Sequence, residues 1–148
     1  MRKPPTLRER ALGLLARREH SRTELARKLQ AHNPSADELE ALLEDLSKRK
    51  QLSDERYAES RAHALSRKFG AARIAQELRA KGVDKGLAEQ ASAAARVTEV
   101  ERARAVWLRK FKQPPASHDE RAKQMRFLQS RGFSFDAIRA VVRGADED

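Results

Sequence analysis

The chain has 148 residues, a formal net charge of +10, 39% apolar residues and no cysteine. Missing cysteine excludes disulfides and thiolate metal sites and fits a reducing compartment. No apolar run approaches ~18 residues and no apolar signal core opens the chain, so a cytoplasmic protein without a membrane partner is expected.

Residues 1–6 read as a basic, Pro-containing lead-in. A first helix follows with Leu7, Ala11, Leu14 and Leu15 on one face, ending near Arg17–His20. Ser21-Arg-Thr-Glu24 has the form of a capping box, in which Ser21 caps and Glu24 reaches back. It opens a helix with Leu25 and Leu29 inward, broken at Asn33-Pro34. Ser35-Ala-Asp-Glu38 is a second such box and starts a helix that buries Leu39, Leu42, Leu43 and Leu46.

A second unit begins at Ser53. Its first helix is predicted over about 54–69, with Ser53 or Asp54 as cap and Ala58, Ala62, Leu65 and Phe69 as its stripe. Gly70 is the predicted stop. The next helix runs over about 71–81 with Ile74 and Leu78, and Gly82 ends it. A third covers about 84–97, with Leu87, Ala91, Ala94 and Ala95 inward. Between Leu87 and Gln113 there is neither Gly nor Pro. Either Thr98-Glu-Val-Glu101 caps a new helix there, or one rod runs from about 84 to 111.

In the third unit Val100, Ala103, Trp107 and Phe111 form the expected stripe. Pro114-Pro115 interrupts it. Ser117-His-Asp-Glu120 is another box, opening a helix with Ala122, Met125, Phe127 and Leu128. Gly132 stops that helix, and Phe133 packs back on its last turn. A short helix with Ile138, Val141 and Val142 follows, then an acidic end over 144–148.

These units repeat. Leu29, Leu78 and Leu128 hold one place, at steps of 49 and 50 residues. The expected fold is therefore all-α: three tandem three-helix repeats over 7–52, 53–97 and 98–143, each resembling a helix-turn-helix unit, in an elongated array. Few aromatic residues suit thin cores of this kind.

Basic residues exceed acidic ones by 12 to 8 over 1–50, 9 to 6 over 51–97 and 11 to 8 over 98–148, so each third carries +4, +3 and +3. Such a surface suits a polyanion or an acidic protein. His20, His32, His63 and His118 are scattered and lack metal-ligand spacing. The glycines stand singly, and the acid pairs Asp54/Glu55 and Asp119/Glu120 sit in first turns, where the helix dipole accounts for them. No nucleophile–base–orienter set is found, so neither an enzyme nor a cofactor is expected. The Ala-rich third helix of the second unit is a poor reader of base edges.

The basic residues fall on consecutive units. Arg56, Arg61, Arg67, Lys68, Arg73, Arg79 and Lys81 lie in the second; Arg121, Lys123, Arg126, Arg131, Arg139 and Arg143 lie in the third. Two readings stand for the central set. Tyr57, Glu59, Arg61 and Arg73 form a structural network, with the Tyr57 ring touching the Arg61 guanidinium four residues on; or they form a contact surface. An array of basic faces suits a long helical partner such as a nucleoprotein filament.

The stretches Ser21-Arg-Thr-Glu-Leu-Ala-Arg-Lys-Leu29, Leu52-Ser-Asp-Glu-Arg-Tyr-Ala-Glu-Ser-Arg61, Gly70-Ala-Ala-Arg-Ile-Ala-Gln-Glu-Leu-Arg-Ala-Lys-Gly-Val83 and Phe127-Leu-Gln-Ser-Arg-Gly-Phe133 together resemble the RecX family of regulatory proteins. The resemblance spans about residues 7–143. It implies tandem three-helix repeats and modulation, usually inhibition, of the RecA recombinase by binding in the groove of its filament, without enzymatic activity. Tyr57, Arg61, Gly70, Arg73, Gly82, Arg131, Gly132 and Phe133 match family positions, the glycines and Phe133 as structural residues. Carried onto this chain, the candidate contacts with filament or DNA are Arg56, Tyr57, Arg61, Arg67, Arg73, Lys81, Lys123, Arg126 and Arg131. DNA contact, single- or double-stranded, would lack sequence specificity. A monomer is expected. The alternatives are a helix-turn-helix transcriptional regulator and a scaffold that bridges acidic proteins.

Overall fold

The computed structural model describes residues 3–143. The acidic end at 144–148 lies outside them. Among the described residues every regular element is a helix. The first repeat holds α1 (Leu7–Arg17), α2 (Arg22–Leu29) with a 3₁₀ turn Gln30–His32, and α3 (Ala36–Lys48). The second holds α4 (Asp54–Leu65), α5 (Ala71–Ala80) and α6 (Lys85–Val97). The third holds α7 (Glu99–Lys110), α8 (His118–Ser130) and α9 (Phe135–Val141).

Each repeat closes its own apolar core. Ala11, Leu25, Leu29, Leu39, Leu42, Leu43, Leu46 and Leu52 form the first. The second gathers around Tyr57, Leu65, Ile74, Leu78 and Val83. In the third, Val106, Leu128, Phe133, Ile138, Val141 and Val142 do the same. The closely packed helix pairs all fall within a repeat. The chain is thus an elongated all-α array of three three-helix repeats, as the 49- and 50-residue steps imply.

Local chemistry sets the helix starts. Thr6, Ser21, Ser35, Ser53, Ser117 and Ser134 each accept a first-turn N–H through the side-chain hydroxyl, and Asp84 does so through its carboxylate. The turn after the middle helix needs a left-handed residue in every repeat: Asn33 at φ 53°, Gly82 at 86° and Gly132 at 85°.

Several expectations fail for reasons beyond local sequence. α4 stops at Leu65, and Gly70 is not its stop. Gly70 has φ −79° and stands at the N-cap of α5. A Cβ there would lie 2.3 Å from the Gly132 carbonyl oxygen, so glycine is demanded by a close approach between repeats. The rod over 84–111 does not form either. The chain breaks at Thr98, whose hydroxyl caps no N–H and instead accepts from Arg102 Nε at 3.1 Å. Beyond the break the buried face of α7 is Glu99, Ala103 and Val106. Val100 is exposed, and Trp107 and Phe111 are half-buried. On α6 the buried residues are Ala88, Ser92 and Ala95, while Leu87 and Ala91 lie at the core margin and Ala94 is exposed.

Candidate interaction surface

The two junctions use equivalent positions in consecutive repeats, though not the same groups. At the first junction the Ser21 hydroxyl donates to the Lys81 carbonyl at 2.7 Å, and Asp54 Oδ1 accepts from the Arg22 N–H at 2.7 Å. At the second, the Gly70 N–H donates to the Arg131 carbonyl at 2.8 Å, and Glu99 Oε1 accepts from the Ala71 N–H at 2.9 Å. In both, the first acid of the following repeat supplies negative charge to the start of the preceding repeat's middle helix, where free N–H groups and the dipole favour it. Asp54 thus serves a neighbouring helix while Ser53 caps its own. Gly82 faces Thr23 and Gly132 faces Arg73, each too closely for a Cβ.

Arg102 locks the second junction. Its guanidinium donates to the carbonyls of Ser66 at 2.7 Å, Phe69 at 2.6 Å and Ala95, and lies 5.9 Å from the centre of the Phe133 ring. The carbonyls near the ends of α4 and α6 are therefore satisfied by one side chain of the third repeat. Burial lowers the Arg102 pKa from its ordinary value.

The structural network of Tyr57, Glu59, Arg61 and Arg73 is not what forms. Arg73 reaches the third repeat: Nη1 donates to the Ser130 carbonyl at 2.9 Å, the guanidinium sits 4.6 Å from the Phe69 ring centre, and Nε lies 3.7 Å from Glu77. Tyr57 is 3% exposed and belongs to the core, so it is withdrawn from the surface assigned to it. Burial, with Glu24 nearby, raises its pKa. Arg61 is exposed and makes no stacking contact with the Tyr57 ring. It does share a cleft with Tyr57, Arg18, Glu24 and Lys81 between the first two repeats.

Glu24 does not close the capping box at Ser21. Arg18 takes its carboxylate with two donors, at 2.8 and 3.0 Å, and holds its pKa low. His20, buried beside this pair, donates from Nδ1 to the Arg18 carbonyl at 3.1 Å and accepts from Lys28 Nζ at 2.9 Å through Nε2. Burial first, then Arg18 and Lys28, lowers its pKa.

Pairing separates cations that composition leaves alike. Arg8 and Arg49 meet Asp45; Arg22 meets Glu40 and Glu44; Arg56 crosses to Glu19 at 2.8 Å. Arg56 is thereby committed to a junction. By contrast Arg61, Arg67, Lys81, Lys123, Arg126 and Arg131 pair with no carboxylate among the described residues. Arg10, Arg17, Arg27, Lys28, Lys48 and Lys50 of the first repeat likewise meet no carboxylate among the described residues, so unpaired cations run along all three repeats and are most numerous in the third. Arg131 lies 5.0 Å from the Phe127 ring centre and 5.5 Å from that of Phe69.

Sequence reasoning missed Arg102, Arg109 and Lys110. A signal for the last two exists: Arg67-Lys68-Phe69 and Arg109-Lys110-Phe111 are the same tripeptide near the end of the first helix in two repeats. Among the described residues no group of three or more His, Asp or Glu is placed to hold a metal ion, and no helix is long and apolar enough to cross a membrane.

Family models described as the first, second and third three-helix domains of RecX match residues 8–46, 53–91 and 98–142. A protein of Leptothrix cholodnii named "Regulatory protein RecX" is 52% identical over 143 residues, covering 97% of this chain and 91% of that protein. One of the same name from Ralstonia nicotianae is 46% identical over 145 residues, covering 98% and 91%. The crystal structure of RecX from Lactobacillus salivarius superposes with a TM-score of 0.79 at 23% identity, over 92% of each chain, a likeness of fold.

Proposed function

The chain belongs to the RecX family of regulatory proteins, and from that premise we propose that it binds the nucleoprotein filament of the RecA recombinase and restrains it. Binding is steric and electrostatic, with no chemistry performed by this chain. The repeats span neighbouring recombinase subunits along the filament groove, and the uncommitted cations face the phosphates and acidic side chains gathered there. Subunit addition and access of a homologous duplex are hindered; reduced recombinase ATPase and strand exchange follow. DNA within the filament is touched without base readout, since the Ala-rich α6 offers few side chains able to read base edges. The protein works as a monomer in the cytoplasm, each core being closed inside its own repeat.

The observation that carries this reading is the run of Arg and Lys without carboxylate partners among the described residues, along all three repeats and most numerous in the third. A titration against assembled filament and against free recombinase tests it. Bridging adjacent subunits predicts tighter binding to filament by at least about tenfold, through effective concentration. Equal affinity for both forms refutes groove bridging.

A further inference from the structure

The two Arg-Lys-Phe tripeptides meet. Arg109 Nη2 donates to the Arg67 carbonyl at 3.1 Å, across 42 residues of sequence and across the second junction. Between them lies a cleft of about 270 Å³ lined by Lys68, Val106, Arg109, Lys110, Phe127 and Arg131. Four of the six are cations, and no carboxylate lines it. Three of the cations, Arg109, Lys110 and Arg131, are held in place by contacts other than ion pairs. Arg109 is anchored on a carbonyl, and Lys110 and Arg131 lie 5.4 and 5.0 Å from the Phe127 ring centre. Phe127 in turn is braced by the edge-on ring of Phe111 at 5.4 Å.

We infer that this cleft is a seat for the phosphodiester backbone of a nucleic acid strand. Its polar side chains are donors only. A peptide brings backbone donors as well as acceptors, and its N–H groups would meet no acceptor among these side chains. A phosphodiester is acceptor-only and negatively charged, and matches every polar group present. Guanidinium groups also suit phosphate oxygens through paired donors. The Phe127 ring is engaged by cations and by Phe111, so it serves to hold Lys110 and Arg131 rather than to stack a base. The cleft therefore reads charge and spacing without reading sequence. This rests on the reading that DNA is among the things the chain touches, and adds where and through which atoms.

The test uses the whole protein and a thymidine oligonucleotide, without recombinase or nucleotide. The variant Lys68→Ala/Lys110→Ala removes two cleft cations. The control Arg27→Ala/Lys48→Ala removes the same charge from the first repeat. Each phosphate contact on a single strand contributes about fivefold to the association constant at ~0.1 M salt, so losing two weakens binding about 25-fold and flattens the log–log salt slope by about 1.4. The control is expected to stay within about threefold of the parent, with circular dichroism unchanged in both. Equal weakening by both variants overturns the seat in favour of diffuse charge, while leaving DNA contact standing. No change in the cleft variant overturns it as well. No DNA binding by the parent overturns both the seat and the DNA contact in the proposed function, and the filament titration then decides what remains of that reading.

Discussion

Arg102→Met removes the guanidinium that ends two helices of one repeat from within the next, while keeping most of the stem. Three carbonyls, of Ser66, Phe69 and Ala95, lose a charged donor. Hydrogen bonds to charged groups contribute about 1.5–3 kcal/mol each, net. Burial of the charge opposes that gain, as the lowered Arg102 pKa shows. Carbonyls near helix ends also recruit water once the side chain is gone. The expected net loss is about 3 kcal/mol, the size of one or two such bonds to a charged donor. With a urea slope of about 2 kcal/mol/M, the midpoint falls by about 1.5 M. Trp107 is the only tryptophan and lies in the third repeat, so its fluorescence reports that repeat while circular dichroism reports all three. The two transitions should coincide in the parent and separate in the variant, because the lost contacts couple neighbouring units of a repeat array. Arg102→Lys should recover less than half, since one ammonium cannot reproduce a planar fork set against three acceptors. Coincident transitions in Arg102→Met, with a midpoint within about 0.3 M of the parent, would refute the role assigned to this side chain.

Gly132→Ala places a Cβ 2.3 Å from the Arg73 Cβ and 2.7 Å from the Arg73 backbone nitrogen, at φ 85°. Strain and overpacking together predict a loss of about 3 kcal/mol by urea denaturation. Gly13→Ala, on α1 with open space around it, should instead stabilise by about 0.5–1 kcal/mol. Acid should weaken the first repeat through His20, whose partners Arg18 and Lys28 both lie in it. Its folded pKa lies below the ordinary 6.5, so the unfolded chain takes the proton first. The stability it contributes is present above pH 6.5 and declines as pH falls toward the folded value. Melting temperatures measured between pH 7.5 and 5 should drop in the parent and drop less in His20→Gln; identical slopes would remove His20 as the cause. Glu24, its pKa held low by Arg18, adds a further loss below pH 4.5.

Sequence made the repeats legible because their signals are local. A serine before an apolar run, and a glycine or asparagine after one, act within a few residues, and Ser21, Ser35, Ser117, Asn33 and Gly82 were readable for that reason. Junction chemistry was not local. Glu99 and Asp54 look like ordinary first-turn acids, and only the fold reveals that each serves a helix of the preceding repeat. Gly70 looked like a stop because a glycine forced by proximity and one forced by left-handed backbone are identical on paper. The one-position rotation of the α7 face has the same origin. Once Glu99 and Arg102 are drawn inward by partners in the second repeat, Val100 turns outward. The basic residues were visible as a set, but composition could not say which were neutralised by carboxylates far away in sequence.

At both joints the first acid of one repeat holds the start of the middle helix of the repeat before it, while Arg102 acts at the second joint alone. The placement of each repeat against the next therefore belongs to the joint rather than to either repeat. A partner that is itself a screw-symmetric polymer offers equivalent sites at a constant step of its own. Fit between the two then depends on how each joint sets its repeat, and a small error at each joint grows with every repeat engaged. Altering Asp54 or Glu99 would consequently retune binding at positions neither residue touches.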